Sequence, residues 1–175
     1  MTLHRTAYAE MTRRSFSLFI AAAGLVGFNS ASKAQETSAN PTSQETTMTN
    51  IDIAKDYIKA VQSGDQAALG ALISPQVIWH QPGNNQFSGT KTGIAEFGAM
   101  FGAMMGVSGG SFAITGAHRY MANGDMVAIE IEFAAKREGA TLNQPGIDLL
   151  RIAGGQIVEV WLFSSDPAQE DAFWG

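Results

Sequence analysis

Three side chains in this sequence have the chemistry to stabilise or move charge: Asp148, Tyr57 and His80. In a regular strand Asp148, Leu150 and Ile152 share one face, while Ile147, Leu149 and Arg151 share the other. A carboxyl among apolar neighbours ionises reluctantly, so its pKa rises and it holds its proton toward neutrality. A neutral carboxylic acid in a dry pocket can donate a hydrogen bond to a developing oxyanion. The same residue could instead pair with Arg119 or Lys91 or cap a bulge, and spacing leaves these alternatives open. Tyr57 falls on the apolar stripe of a helix, where a buried hydroxyl needs a partner whether it serves a ligand or only the core. His80 carries an imidazole, the side chain most often used as a general base, against the plainer role of bonding a backbone carbonyl. Neighbouring strand residues face opposite sides, so His80 and Gln81 point the same way only if the strand bulges before Pro82.

Other chemistries fit less well. His118 could join His80 at a metal, but no acidic residue stands at ligand spacing to complete the set, so no metal is expected. The glycines at 106, 109 and 110 precede a strand, not a helix N-terminus, and make no phosphate cradle. Ser164, Ser165 and Thr90 lack the partners of a catalytic triad. The chain has no cysteine, which removes disulfide and thiolate chemistry. Its net charge is −5, and beyond residue 34 the one adjacent basic pair, Lys136-Arg137, sits beside a turn glycine. A nucleic-acid partner is not expected.

The elements that must position these residues follow from periodicity. Ala54, Tyr57, Ile58 and Val61 repeat at helical spacing, and Gly64 ends that helix. Asp65 caps a second short helix through Ile73, stopped by Pro75. Val77 to Gln81 reads as a strand and Pro82 to Asn85 as a turn. A third helix spans Ile94 to Met105, with Phe97, Phe101, Met104 and Met105 on one stripe. After Gly109-Gly110 the period changes from helical to alternating. Strands are expected over Ser111 to Met121, around Val127 to Phe133, over Leu142 to Ile152 and over Ile157 to Phe163. They are joined by turns at Asn123-Gly124-Asp125, Glu138-Gly139 and Gly154-Gly155. Helix, helix, strand, helix and an antiparallel meander predict an α+β fold: a curved sheet wrapped around three helices to form a cone with an internal cavity. Phe97, Phe101, Ile131, Val160 and the terminal Trp174 are expected to line that cavity and bind a hydrophobic small molecule. The last strand carries Val158, Val160 and Leu162 on one face and Ile157, Trp161 and Phe163 on the other, so a second subunit is expected to cover the outside as a homodimer.

The cone accounts for residues 49–175. Before it, Thr12-Arg13-Arg14-Ser15-Phe16 and the apolar run Leu18 to Phe28, closed by Ser32-Lys33-Ala34, read as a twin-arginine export leader over residues 1–34, with Met11 an alternative start. The apolar run is shorter than the roughly 20 residues needed to span a bilayer, so no stable membrane span is expected. Four of the 11 basic residues but one of the 16 acidic ones lie in the leader, so the processed chain is more acidic still. Residues 35–48, rich in Ser, Thr, Asn and Gln, read as a disordered linker. The expected destination is the periplasm or beyond.

Tyr57 before Gly64-Asp65, the run Val77-Ile78-Trp79-His80-Gln81-Pro82-Gly83, Phe87-Ser88-Gly89-Thr90, Pro145-Gly146-Ile147-Asp148, Gly155 to Trp161 and the tail Asp171-Ala172-Phe173-Trp174 follow one another in a telling order. From Asn50 to Gly175 this order resembles the SnoaL-like, ketosteroid-isomerase-like branch of the nuclear-transport-factor-2-like superfamily. The cone of that superfamily hosts isomerases, cyclases, epoxide hydrolases, lyases and binders alike. The resemblance implies that Tyr57 and a protonated Asp148 form an oxyanion hole, the arrangement for which ketosteroid isomerase is a standard example of pKa tuning. It also implies that the base position, immediately before Pro82, is occupied by Gln81, whose amide can orient a substrate but not accept a proton. His80 is the expected substitute. The expectation is thus a cofactor-independent isomerase, cyclase or C–C lyase acting on a hydrophobic carbonyl or phenol through an enolate or phenolate. The alternative is a non-catalytic periplasmic binding module. An epoxide hydrolase would need an Asp-Arg-Asp set, and Arg151 lies on the face opposite Asp148.

Overall fold

The computed structural model describes residues 48–175, and the expected leader and all but the last residue of the linker lie outside them. Helix α1 (Asn50–Ser63) begins at a capping box: the Thr49 hydroxyl accepts from the Asp52 N–H, and the Asp52 carboxylate accepts from the Thr49 N–H. It ends where Gly64 turns left-handed at φ 67°, a conformation that suits glycine. Asp65 then caps α2 (Gln66–Leu72) by accepting from the Ala68 N–H at 2.9 Å. Strand β1 (Ile73–Gln81) leads through β2 (Gly89–Thr92) into α3 (Gly93–Val107). Strands β3 (Ala113–Asn123), β4 (Met126–Arg137), β5 (Ala140–Ala153) and β6 (Gln156–Ser164) follow, and α4 (Pro167–Trp174) closes the chain.

The expected antiparallel meander is β3 to β6, and it extends to a curved, unclosed six-stranded sheet in the order β2-β1-β6-β5-β4-β3. Besides the short edge strand β2, three features differ from the sequence reading. Strand β1 starts at Ile73, not Val77, with Pro75 inside a register shift between Ile73 and Ile78, where its missing N–H interrupts no regular ladder. Strand β1 pairs in parallel with β6, a long-range contact that no local signal announces. The tail from Pro167 is a helix, started by Asp166 accepting from the Gln169 N–H and by Pro167 in the first turn.

The core lies on the concave face. Val127, Ile129, Ile131, Phe133 and Ala135 of β4 alternate inward and are buried, as are Leu142, Leu150 and Ile152 of β5. Ile53, Ala54, Tyr57 and Ile58 of α1 pack onto them. Each large aliphatic side chain so buried contributes roughly 1.5–3 kcal/mol of transfer free energy. Helix α2 buries no residue completely. Among the described residues no helix is long and apolar enough to cross a membrane.

Candidate active site

Between the sheet and helices α1, α2 and α3 lies a cavity of about 470 Å³. Its walls are mainly apolar: Phe97, Phe101 and Met104 from α3, with Trp79, Ile131 and Phe133 from the sheet. The polar side chains that reach it are Tyr57, Gln66, Gln81, Asp148, Ser164 and Glu170. The expected residues Tyr57, Asp148, Gln81, Phe97, Phe101 and Ile131 are therefore brought together around one space.

Asp148 points inward because it alternates with Ile147 and Leu149 on β5, and its register partners are Ile129 on β4 and Leu162 on β6. It is 3 % exposed, and burial alone pushes its pKa up to about 7. Arg119 is paired with Glu130 and Lys91 donates to the Ser88 carbonyl, so neither candidate cation neutralises it. Tyr57 faces the same space from the inner stripe of α1. Burial first, and then the charge of Asp148, raise its pKa well above 10. Two acidic O–H groups thus face one apolar cavity, Tyr57 protonated at neutral pH and Asp148 exchanging its proton close to it. Trp79 Nε1 donates to Gln81 Oε1 at 3.2 Å, which fixes the amide and leaves its N–H groups as further donors.

His80 is placed elsewhere. Strand alternation turns it to the outer face of the sheet, where Nε2 lies 2.8 Å from Glu159 Oε1 and Nδ1 lies 3.2 Å from Thr90 Oγ1. Its ring stacks on Trp161 at 5.2 Å, and Arg151 grips the other oxygen of Glu159 at 2.8 Å. This corrects the expectation that His80 moves a proton on the substrate: strand β1 does not bulge at His80–Gln81, so only Gln81 faces the cavity. It also leaves Arg151 on the side opposite Asp148, away from any epoxide-hydrolase arrangement.

Two expected lining residues are corrected too. Val160 is fully buried in register with Trp79 and Leu150, and Trp79 takes its place at the cavity wall. Trp174 is buried behind that wall, its ring 5.8 Å from Phe112, which does line the cavity. What Trp174 does is hold Glu170: its Nε1–H donates to Glu170 Oε1 at 3.3 Å, while the Ser164 hydroxyl bonds Glu170 Oε2. Glu170 is 5 % exposed, and its pKa is raised by burial and drawn back by those two hydrogen bonds. Sequence reasoning passed over Glu170. The available signal was the Asp166-Pro167 helix start, which puts Glu170, Phe173 and Trp174 on one face at spacings of three and four.

A curved sheet closed by helices over an apolar cavity with convergent hydrogen-bond donors defines a small-molecule cone. The model of the SnoaL-like domain matches residues 54–160, and the chain belongs to that family. Solved nuclear-transport-factor-2-like proteins share its fold. A protein of unknown function with a cystatin-like fold from Xanthomonas campestris is 63% identical, over 73% of this chain and 99% of its own, with a TM-score of 0.71. An uncharacterised protein of Mycobacterium tuberculosis is 28% identical over 71% of this chain and 95% of its own length. A proposed polyketide cyclase from Streptomyces antibioticus shares the fold at 20% identity, covering 67% of this chain and 93% of its own, with a TM-score of 0.55.

Proposed function

We propose that this protein is a cofactor-independent enzyme of the isomerase or cyclase type. Its substrate is a hydrophobic small molecule with a carbonyl or phenol, which reacts through an enolate or phenolate. The observation that carries the proposal is that Tyr57 and Asp148 are both buried at one apolar cavity, where burial raises the pKa of each and favours the protonated forms. Donors preorganised where negative charge develops need no reorganisation when it appears, and in a dry site they act strongly. The SnoaL-like membership and the fold shared with a proposed polyketide cyclase support the reaction class.

The test is an optical titration with β-naphthol, a planar phenol that stands in for a bound enolate. Bound naphthol should ionise at lower pH than free naphthol. Tyr57→Phe and Asp148→Asn should each weaken the bound anion by about 10- to 100-fold, the worth of one hydrogen bond to a charge. Binding indifferent to both substitutions would favour the second reading, a non-catalytic binding module. That reading draws on Gln81, an amide where a base would stand.

The proposal includes a homodimer through the outer face of β6, supported by the half-buried Trp161 there and by Phe163, which is 53% exposed. A monomeric mass by light scattering would count against it. It includes export by the twin-arginine route to the periplasm, supported by residues 1–34. An intact mass beginning at Gln35 in a periplasmic extract checks that.

A further inference from the structure

We propose that Glu170 is the base of this cavity, the group that takes and returns the substrate proton, an assignment that rests on the oxyanion reading above. Among the described residues, Asp148 and Glu170 are the two carboxyl side chains that line the space. Their surroundings divide the work between them. Trp174 Nε1–H can only donate, so Glu170 Oε1 must accept, and the Ser164 hydroxyl engages the other oxygen. A carboxyl bracketed by donors is held as an acceptor. Burial raises both carboxyls, but Asp148 sits between apolar register partners with nothing to oppose the rise, whereas the Ser164 and Trp174 hydrogen bonds draw Glu170 back. Environments that differ in this way separate an acid from a base.

The sheet register sets the spacing. Asp148 lies opposite Leu162 on β6, and Ser164, which holds Glu170, stands two residues further along the same face, opposite Gly146. Two strand residues span about 7 Å, so the Glu170 carboxyl hangs from the row next to Asp148. An oxygen lodged against Tyr57 and Asp148 then leaves a ring carbon of the same molecule facing Glu170. The rival bases fall away: Gln81 and Gln66 are amides, and His80 faces outward.

The helix that carries Glu170 is pinned. Asp171 Oδ1 accepts from the Asn84 N–H and from Asn85 Nδ2, both at 2.8 Å, and the Gln86 N–H donates to the Gly175 carbonyl at 2.9 Å. Arg137 Nη2 donates to the Ala172 carbonyl at 3.1 Å. A base on a fixed element keeps its geometry through the reaction.

In the step itself a Glu170 oxygen takes a proton from a carbon beside the substrate carbonyl. The C–H electron pair becomes the new C=C bond, and the carbonyl π pair moves to oxygen. That oxyanion accepts from Tyr57 and Asp148. The Glu170 acid then returns the same proton to another carbon, with no net gain or loss of protons or electrons.

The experiment compares the full chain with Glu170→Gln and Glu170→Asp in two measurements. Deuterium uptake by β-tetralone, an enolisable ketone with the skeleton of β-naphthol, is followed by NMR in heavy water. Glu170→Gln should slow the wild-type exchange by about 100-fold or more, and Glu170→Asp should restore part of it. The same Glu170→Gln variant should bind the naphtholate anion about tenfold tighter, because a like charge beside the anion is gone. A damaged cavity would lose affinity, so the gain separates a lost base from a lost fold. The assignment is overturned by a wild type that exchanges no deuterium, by exchange in Glu170→Gln within about threefold of wild type, or by weaker naphtholate binding. If naphthol still answers to Tyr57 and Asp148 in those cases, the oxyanion reading stands without Glu170.

Discussion

Replacing Asp148 with asparagine should make the protein less sensitive to pH, by an amount that follows from burial. The carboxyl has an ordinary value of 3.8 and is pushed to about 7 in the fold, with desolvation as the cause. A raised folded-state pKa means that the folded chain holds the proton more tightly than the unfolded chain does. The stabilising contribution is therefore complete below 3.8 and is lost as the pH rises through about 7. At about 1.4 kcal/mol per pH unit, the interval from about pH 5 to about pH 7 carries about 3 kcal/mol. The amide of the Asp148→Asn variant does not titrate, so the stability of that variant relative to wild type should rise by that amount between about pH 5 and about pH 8. For a domain of this size the change is a relative shift in Tm of about 10 °C. Glu170, also raised by burial, titrates in the same direction in both proteins and drops out of the difference. The assay is thermal unfolding of both proteins by circular dichroism across the interval. A difference that stays flat with pH would mean that Asp148 ionises in the fold as easily as in the open chain. The cavity would then be wet at that point, and a neutral Asp148 donor would be refuted.

Substitutions at two further positions, one lining the cavity and one outside it, test the placement of the walls. Gly98 and Gly102 line it from α3, and a Cβ added at either meets nothing within 4 Å. Gly102→Ala should raise stability by about 0.5–1 kcal/mol through helix propensity. Gly102→Phe should keep the fold but weaken β-naphthol by about tenfold as the ring enters the cavity, and unchanged affinity would refute the placement of α3 against the ligand. His80→Ala removes a ring that lies outside the cavity on Glu159 and Trp161. Naphthol affinity and ionisation should stay within about twofold of wild type, and a larger change in titration would restore His80 to the site.

The parts of the fold legible in the sequence are those specified over a few residues. Helix α1 announces itself by its apolar stripe and by Gly64, and β4 by Val127, Ile129, Ile131 and Phe133 against Glu130 and Glu132. The hairpin turns follow from Asn123-Gly124-Asp125 and its kin. Tyr57 and Asp148 were readable for the same reason, since a period of 3.6 or 2 tells which way each points. Strand β2 was not, because four mostly exposed residues, Gly-Thr-Lys-Thr, at a sheet edge carry no apolar alternation. The parallel pairing of β1 with β6 joins segments some 80 residues apart, and nothing local encodes it.

Helix α4 is the instructive failure, because it hid Glu170. Eight residues give two turns, too few for a stripe to stand out, and Phe173 and Trp174 next to each other blur it further. What buries Glu170 is docking: Asp171 on the Asn84–Asn85 turn, Gln86 on Gly175, and Trp174 wedged beside Phe87 and Phe112. Those contacts span nearly ninety residues of sequence. A carboxylate at an exposed helix end is an ordinary surface charge. The same carboxylate carried into an apolar cavity, with its oxygens bracketed by Ser164 and Trp174, is a group whose charge has a cost of several kcal/mol before pairing. The fold retains it on the same cavity as Tyr57, Asp148 and Gln81. Donors at one point of the cavity and a carboxylate acceptor a strand row away suit a ligand that gives up a proton at carbon and gathers charge at oxygen.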